Sequence, residues 1–382
     1  MRITHLVTLV AHDGAFGGPL RVALNQVGEL RRRGHDVELA AGWVGRGRPP
    51  HEVDGVPVQA FRALQVVPGA GFSGLYSPGL RSWLRHRLPD TDLLHVHAGR
   101  DIISLVGMHQ AGLASCPTVV QTHGMIGPDR RVRARVLDRL AVRRLVGSAQ
   151  GHLVLTDEEQ RDLPVVLDRL LPGLHRVRNG VVVPSQEADV ATGRPDVLYC
   201  ARLHPRKRPA AFVEMARLVA RTDDVTFSMV GPDGGELDRL RGSGAFTGPG
   251  SAVRYEGPLP YDRILDRMRE ATVYVLPSFD EPFPMTLLEA MSLGLPCVCT
   301  DSCGISAELR ETGAAVVTDG SAENMAAAVR ELLRDGGRRR ALGRRARAVA
   351  QRLYSVTGVA DRLEEIYSSV VGQASPLREG RR

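Results

Sequence analysis

Residues 281–289 read Glu281-Pro282-Phe283-Pro284-Met285-Thr286-Leu287-Leu288-Glu289. The apolar run Thr272–Pro277 before them reads as a buried strand. Met285–Leu293 reads as the helix that follows, and Gly294 closes it. Glu281 is therefore expected on the loop at the carboxyl end of a strand. Glu289 is expected one turn inside the helix, roughly 6 Å from its start at about 1.5 Å per residue. Free N–H groups and the dipole at a helix start suit a phosphate, and a carboxylate one turn along suits the paired hydroxyls of a ribose. The plain alternative is two ordinary exposed glutamates, which is usual for any Glu pair at a given spacing.

The same strand–helix alternation extends along the chain in both directions. Ile3–Val10 reads as a first strand and Ala15-Phe16-Gly17-Gly18 as a flexible loop, with Pro19 in the first turn of a helix. Leu20, Ala23, Leu24, Val27 and Leu30 then recur at helical spacing, and Gly34 stops the helix. Further strands are predicted at Val37–Ala41, Val56–Phe61, Leu93–Val96, Thr118–Gln121 and Leu153–Leu155. The polar stretch Pro184–Pro195 reads as an inter-domain linker. A second series follows at Val197–Leu203, Val225–Val230, Val253–Tyr255, Val273–Leu276, Cys297–Thr300 and Ala315–Val317. The expected class is α/β, with two Rossmann-like domains at 1–183 and 195–353 and a cleft between them. Ligands of such sheets lie beyond the carboxyl ends of the strands. Residues 354–372 read as a final helix, and Ser375–Arg382 as a disordered tail.

Of 50 basic residues only Lys207 is lysine. It lies in Ala201-Arg202-Leu203-His204-Pro205-Arg206-Lys207-Arg208, where a compact ammonium with three rotatable donors suits a phosphate. The net charge of +7 favours phosphate-bearing ligands, nucleic acid or an anionic membrane without choosing among them. Aromatic residues make up only 4% of the chain, too few for the stacking platforms of a single-strand binder, so no nucleic-acid partner is expected. The five cysteines are odd in number and unevenly spaced, which argues against a disulfide framework. Cys297-x-Cys299-x3-Cys303 lacks a CxxC pair or nearby histidine, so it reads as buried thiols rather than a metal site. The apolar run at Met1–Ala11 is too short for a membrane span and lacks a cleavage site, so a cytoplasmic protein is expected.

Glu281-x7-Glu289, with Leu288-Glu289-Ala290-Met291 and Gly294-x-Pro296, resembles the signature of retaining glycosyltransferases of family 4, which have the two-domain GT-B fold. Other landmarks occur in the family's order: Gly17-Gly18, Asp92-Leu93-Leu94-His95-Val96-His97, Thr122-His123-Gly124, Asn179-Gly180-Val181, Arg202 with Lys207, and Val230-Gly231. The resemblance spans about residues 1–370. It implies an N-terminal acceptor domain, a C-terminal nucleotide-sugar domain and a final helix crossing back to the first. It also implies a UDP- or GDP-sugar donor and no metal or other cofactor. Arg202 and Lys207 would neutralise the donor diphosphate, Glu289 would bind the ribose, and Glu281 would contact sugar hydroxyls near the reacting centre. Gly17 and Gly18 would admit backbone amides to the phosphate, the amides of Met285 and Thr286 would add donors, and His123 would lie near the transferred sugar. The family's usual route retains configuration, with the leaving phosphate helping to deprotonate the acceptor.

This chain departs from the family in places. Pro282 and Pro284 stand where glycines are frequent and offer no N–H. Ala201 replaces a frequent glycine, and Cys303-Gly304 stands where Gly-Gly is common. His95 and His97 alternate on one strand and share a face, with no third ligand evident, so a structural role is favoured over a metal. Arg130–Leu145 alternates arginines with Val132, Val136, Leu137, Leu140 and Leu145. It reads either as a solvated helix face or as an amphipathic helix giving peripheral contact with an anionic membrane at its inner face. A nucleotide-sugar epimerase on the same fold would want further acid/base residues in the cleft. A nicotinamide enzyme would want G-x-G-x-x-G, which Gly231-Pro232-Asp233-Gly234-Gly235 does not supply. A non-enzymatic basic membrane or nucleic-acid binder leaves Glu281 and Glu289 unexplained.

Overall fold

The computed structural model describes residues 1–11, 17–45, 47–185, 193–247 and 252–379. The chain divides into two units, Met1–Gly180 with Val356–Arg382, and Val181–Ser355.

Among the described residues the first unit is built on ten strands: β1 (Arg2–Ala11), β2 (Asp36–Val44), β3 (Glu52–Val53), β4 (Val56–Arg62), β5 (Leu64–Gln65), β6 (Leu75–Tyr76), β7 (Leu93–His97), β8 (Thr118–Gln121), β9 (Gly151–Val154) and β10 (Leu174–Arg176). Eight of them form one sheet in the order β10-β9-β8-β7-β1-β2-β4-β3. All its pairings are parallel except the short β3 edge. β5 and β6 form a separate ribbon. Because the sheet is covered on both faces, its central strands are near-continuous apolar runs rather than alternating ones. One face packs Ile3, Val7 and Leu93 against Ala23 and Val27 of the first helix, Gly17–Arg32, and Leu363 and Ile366 of the C-terminal helix, Val356–Glu379. The other face packs Leu6, Leu94 and Val96 against Leu84, Ile103 and Met108. Arg33 ties the first helix to the C-terminal one, pairing with Glu29, Asp361 and Glu364 and donating to the Thr357 carbonyl.

Among the described residues the second unit has six parallel strands: β11 (Asp196–Cys200), β12 (Thr226–Val230), β13 (Val253–Gly257), β14 (Val273–Leu276), β15 (Cys297–Thr300) and β16 (Val316–Thr318). Their order is β13-β12-β11-β14-β15-β16. The order reverses between β11 and β14, and a doubly wound sheet opens a ligand crevice at such a switch point. Tyr199, Phe212, Phe227 and Tyr274 are fully buried around these strands.

Several local expectations need correction. Gly17 and Gly18 are not loop but the first turn of a helix, which starts two residues ahead of Pro19; Ala15 and Phe16 lie outside the described residues. Residues 186–192 of the expected linker also lie outside them. The expected tail is helical as far as Glu379. β10 was missed because three half-exposed residues carry no periodicity. All five cysteines are buried and free.

Candidate active site

The carboxyl ends of the adjacent strands β11 and β14 carry most of the residues singled out in the second unit. After β11 the chain passes Arg202, whose carbonyl accepts from the buried Tyr199 hydroxyl at 2.9 Å. It then turns through Pro205–Lys207, with the His204 side chain accepting from the Arg206 amide. After β14, the Phe279 amide donates to the Arg206 carbonyl at 2.7 Å, so the two loops are laced together. Lys207 Nζ lies 2.5 Å from Glu281 Oε2, with both side chains largely enclosed. The Gly304 amide holds the Glu281 carbonyl at 2.8 Å. A Cβ on Gly304 would come within 2.2 Å of the Pro282 carbonyl oxygen, which explains why the second residue of Cys303-Gly304 has no side chain.

The helix Met285–Ser292 starts four residues beyond Glu281. Pro284 precedes it with no side-chain cap, leaving Met285 and Thr286 in its first turn. The Thr286 hydroxyl accepts from Tyr274 at 2.7 Å. Glu289 is buried, 3% exposed, one turn further on. Burial pushes the Cys200 thiol up to about 12, with the nearby Glu289 carboxylate adding to it. Burial likewise raises Cys303 to about 11. Burial thus favours the protonated form of both thiols. Gly231 and Gly234 let the β12 loop close on the β11 loop: added Cβ atoms would lie 2.1 Å from the Ala201 carbonyl and 2.8 Å from Arg202 Cγ.

His123 belongs to the first unit, in the loop after β8. It sits at φ +52°, a conformation few bulky residues adopt. A residue that sequence reading missed, Glu159, imposes it. This buried carboxylate accepts from the Thr122 hydroxyl, from the Gly124 amide at 2.6 Å and from the Leu155 amide at 2.7 Å. Burial raises its pKa even so. The available signal was Thr156-x-x-Glu159, a capping box in which the glutamate reaches another loop instead. His97 Nδ1 and His123 Nε2 are 2.8 Å apart. His5, which sequence reading also missed, stands beside His95 and His97, all three fully buried with ring nitrogens within 4.8 Å of one another. Gly18 lies in the first turn of the first helix, with no described atom within 4 Å of where its Cβ would be.

Arg130–Leu145 is helical from Val132, with a π turn at Asp138–Val142. Val132, Val136 and Leu140 are 73%, 49% and 74% exposed, so the apolar stripe faces outward. Arg100 anchors the segment, pairing with the Asp138 carboxylate at 2.7 Å. No helix among the described residues is long and apolar enough to cross a membrane.

Two doubly wound units of this kind make the GT-B fold. Solved structures share it: Anabaena HepE in complex with UDP-glucose superimposes with a TM-score of 0.74 at 18% identity, over 97% of this chain and 100% of that one. The sucrose-phosphate synthase of Thermosynechococcus elongatus does so at 0.73 and 16%, over 98% and 100%. The model of the glycosyl transferases group 1 matches residues 185–349 and that of the glycosyl transferase 4-like domain residues 17–180; the chain belongs to this family of glycosyltransferases. Among relatives, it is 27% identical to a D-inositol 3-phosphate glycosyltransferase of Nocardia farcinica, over 96% of this chain and 88% of the other. It is 28% identical to a GDP-mannose-dependent alpha-mannosyltransferase of Mycolicibacterium smegmatis, over 95% of each.

Proposed function

We propose that the protein is a retaining, metal-independent hexosyltransferase that moves a sugar from a UDP- or GDP-linked donor to an acceptor hydroxyl. The observation that carries this reading is the Lys207–Glu281 pair at the mouth of the β11 and β14 loops, with Glu289 buried one helical turn beyond. Glycosyl transfer builds negative charge on the departing diphosphate and positive charge on the sugar. Lys207, Arg202 and the amides of Met285 and Thr286 supply donors for the first, and Glu281 a carboxylate for the second. Preorganised donors of this kind each contribute on the order of 2.7–4 kcal/mol to transition-state stabilisation. Glu289 takes the ribose hydroxyls, Gly17 and Gly18 bring amides to the phosphate, and His123 meets the transferred sugar. The second unit thus takes the donor and the first the acceptor. A UDP-glucose complex among the structural neighbours and a GDP-mannose-dependent relative support a nucleotide-sugar donor. Isothermal titration of UDP, GDP and NADH, with and without magnesium, against wild type and Lys207→Ala tests the proposal. Magnesium-independent UDP or GDP binding that the variant loses supports it. NADH binding alone, or nucleotide binding indifferent to Lys207, overturns it.

The stripe of Val132, Val136 and Leu140 among arginines favours a peripheral contact with anionic lipid at the inner membrane face. That surface would bring the enzyme to a lipid-linked acceptor.

A further inference from the structure

The ribbon of β5 and β6 shows apolar side chains to solvent. Leu64, Val66, Val67 and Phe72 are between 37% and 56% exposed. Scattered single exposed hydrophobics are ordinary, but a cluster of them on one short loop is not. The exposure is built in. Leu64 stands opposite Tyr76 across the ribbon, and Gln65 stands opposite the buried Leu75. Opposed residues share a face, and so do alternate ones. Leu75 therefore turns one side of the ribbon into the core and leaves Leu64 and Val66 outside, with the half-buried Tyr76 beside Leu64. The loop is braced from within. The Val66 and Val67 amides both donate to the Gly74 carbonyl, at 2.9 and 3.3 Å. Gln65 Nε2 donates to the carbonyls of Val67 and Gly71, at 2.7 and 3.1 Å. A Cβ on Gly74 would lie 2.5 Å from Gln65 Nε2, so the brace needs a glycine there. Turning the apolar residues inward would break these bonds.

The charge around the ribbon has one sign. The sequence has no charged residue from Ala63 to Leu80 and no carboxylate between Asp54 and Asp90. Arg62, Arg81 and Arg85, which flank the ribbon in sequence, are exposed. An uncharged apolar tip between arginines matches an anionic lipid surface, where the tip enters the acyl boundary and the guanidiniums meet phosphates. A second copy of the chain would bring the same arginines face to face, so self-association is disfavoured.

The ribbon's place in the fold adds to this. β4, β2, β1, β7 and β8 are parallel neighbours, and the ribbon follows the end of β4. It therefore leaves the carboxyl edge of the sheet, where His97 ends β7 and the His123 loop follows β8. Its buried Leu75 belongs to the same core as Val142, so the ribbon and the Arg130–Leu145 segment cover one face of the sheet. We propose that the β5–β6 ribbon is a lipid-insertion element that docks on an anionic bilayer and acts as a second anchor beside the Val132, Val136 and Leu140 stripe. Stable peripheral attachment takes two such signals. The docking needs no step of the glycosyl-transfer reading.

All five native cysteines are buried, so Val67→Cys can carry a single solvent-sensitive fluorophore. Glu323→Cys, exposed on the helix Ala322–Arg334 of the second unit, is the control. Vesicles of phosphatidylcholine with phosphatidylglycerol should shift the Val67 label to the blue and leave the control unchanged. L64S/V66S/V67S should lower the vesicle partition coefficient at least about tenfold, with melting temperature and nucleotide binding unchanged. A wild type that does not float overturns the proposal together with the stripe. A wild type that floats while the Val67 label stays in water overturns the ribbon alone. A blue shift produced equally by monomeric dodecyl maltoside would make the ribbon a seat for one amphiphile and overturn bilayer docking. A concentration-dependent dimer that the triple variant abolishes would do the same in favour of a second copy. Insertion of the label in a protein that turns over no nucleotide sugar would leave the proposal standing and remove the transferase reading instead.

Discussion

Lys207 Nζ and Glu281 Oε2 lie 2.5 Å apart although 74 residues separate them in the chain. The only lysine is thus paired with a carboxylate. On the proposed reading, a diphosphate would compete with Glu281 for that ammonium and free the carboxylate for the sugar. Lys207→Ala is expected to abolish measurable nucleotide binding and lower kcat by about 10²–10³. Lys207→Arg should rescue poorly, because the planar guanidinium does not fit the place of a compact ammonium. Calorimetry and steady-state rates with UDP- and GDP-sugars check both.

Glu281→Gln separates the two roles. Removing the competing charge should leave nucleotide affinity equal or tighter, while kcat falls by about 10²-fold or more as the sugar loses its carboxylate. Weaker nucleotide binding in this variant would mean that Glu281 serves chiefly to hold Lys207 in place.

Gly304→Ala should disturb the same loop from behind. Its new Cβ would press on the Pro282 carbonyl at 2.2 Å, so the Glu281–Pro284 segment must shift. We expect a stability loss of about 1–3 kcal/mol by denaturant titration and a clear fall in nucleotide affinity.

The buried histidines make the first unit acid-sensitive. His5 is pushed down to about 3 by burial, and His95 and His97 are lowered by the same cause. Unfolding lets each take up a proton below its ordinary pKa, so the unfolded state binds more protons there. Stability is full above about pH 6.5 and falls as the pH drops. Glu159 and Asp101, whose pKa values burial raises, act in the opposite sense at lower pH. Urea titrations of wild type and His5→Gln isolate one histidine: the variant's slope between pH 6 and 4 should be shallower by about 1.4 kcal/mol per pH unit.

The outward stripe gives a membrane test. Wild type should float with anionic vesicles and lose that association as salt rises, while the triple variant V132S/V136S/L140S should stay in solution with unchanged nucleotide binding. Flotation of the two proteins on anionic and on zwitterionic vesicles reads this directly.

The alternation of apolar runs with helical spacing made both parallel sheets legible, because a buried parallel strand reads as a continuous apolar run. The helix from Met285 and the loop carrying Glu281 were legible for the same reason. Contacts between distant strands were not. His5 joins His95 only through the β1–β7 register, which pairs residue 5 with residue 95 and depends on no local pattern. Glu159 carries only a local capping pattern in the sequence, and its brace on the His123 loop comes from a contact 35 residues away. The Lys207–Glu281 pair was hidden because it forms only where the β11 and β14 loops meet, across 74 residues of chain. The helical start at Gly17-Gly18 was missed because two glycines ahead of a proline read as a break.

The path of the chain also sets an order of events at birth. Residues 181–355 form their sheet from one uninterrupted stretch, so the ribosome delivers that unit whole. The first unit emerges earlier but lacks Leu363, Ile366, Tyr367 and Val370, which complete one face of its sheet. Until residues 363–370 have emerged, that part of the apolar face stays open. The unit made first is the last to be sealed, and a nascent chain stalled before residue 356 exposes a sticky surface of the kind that chaperones recognise.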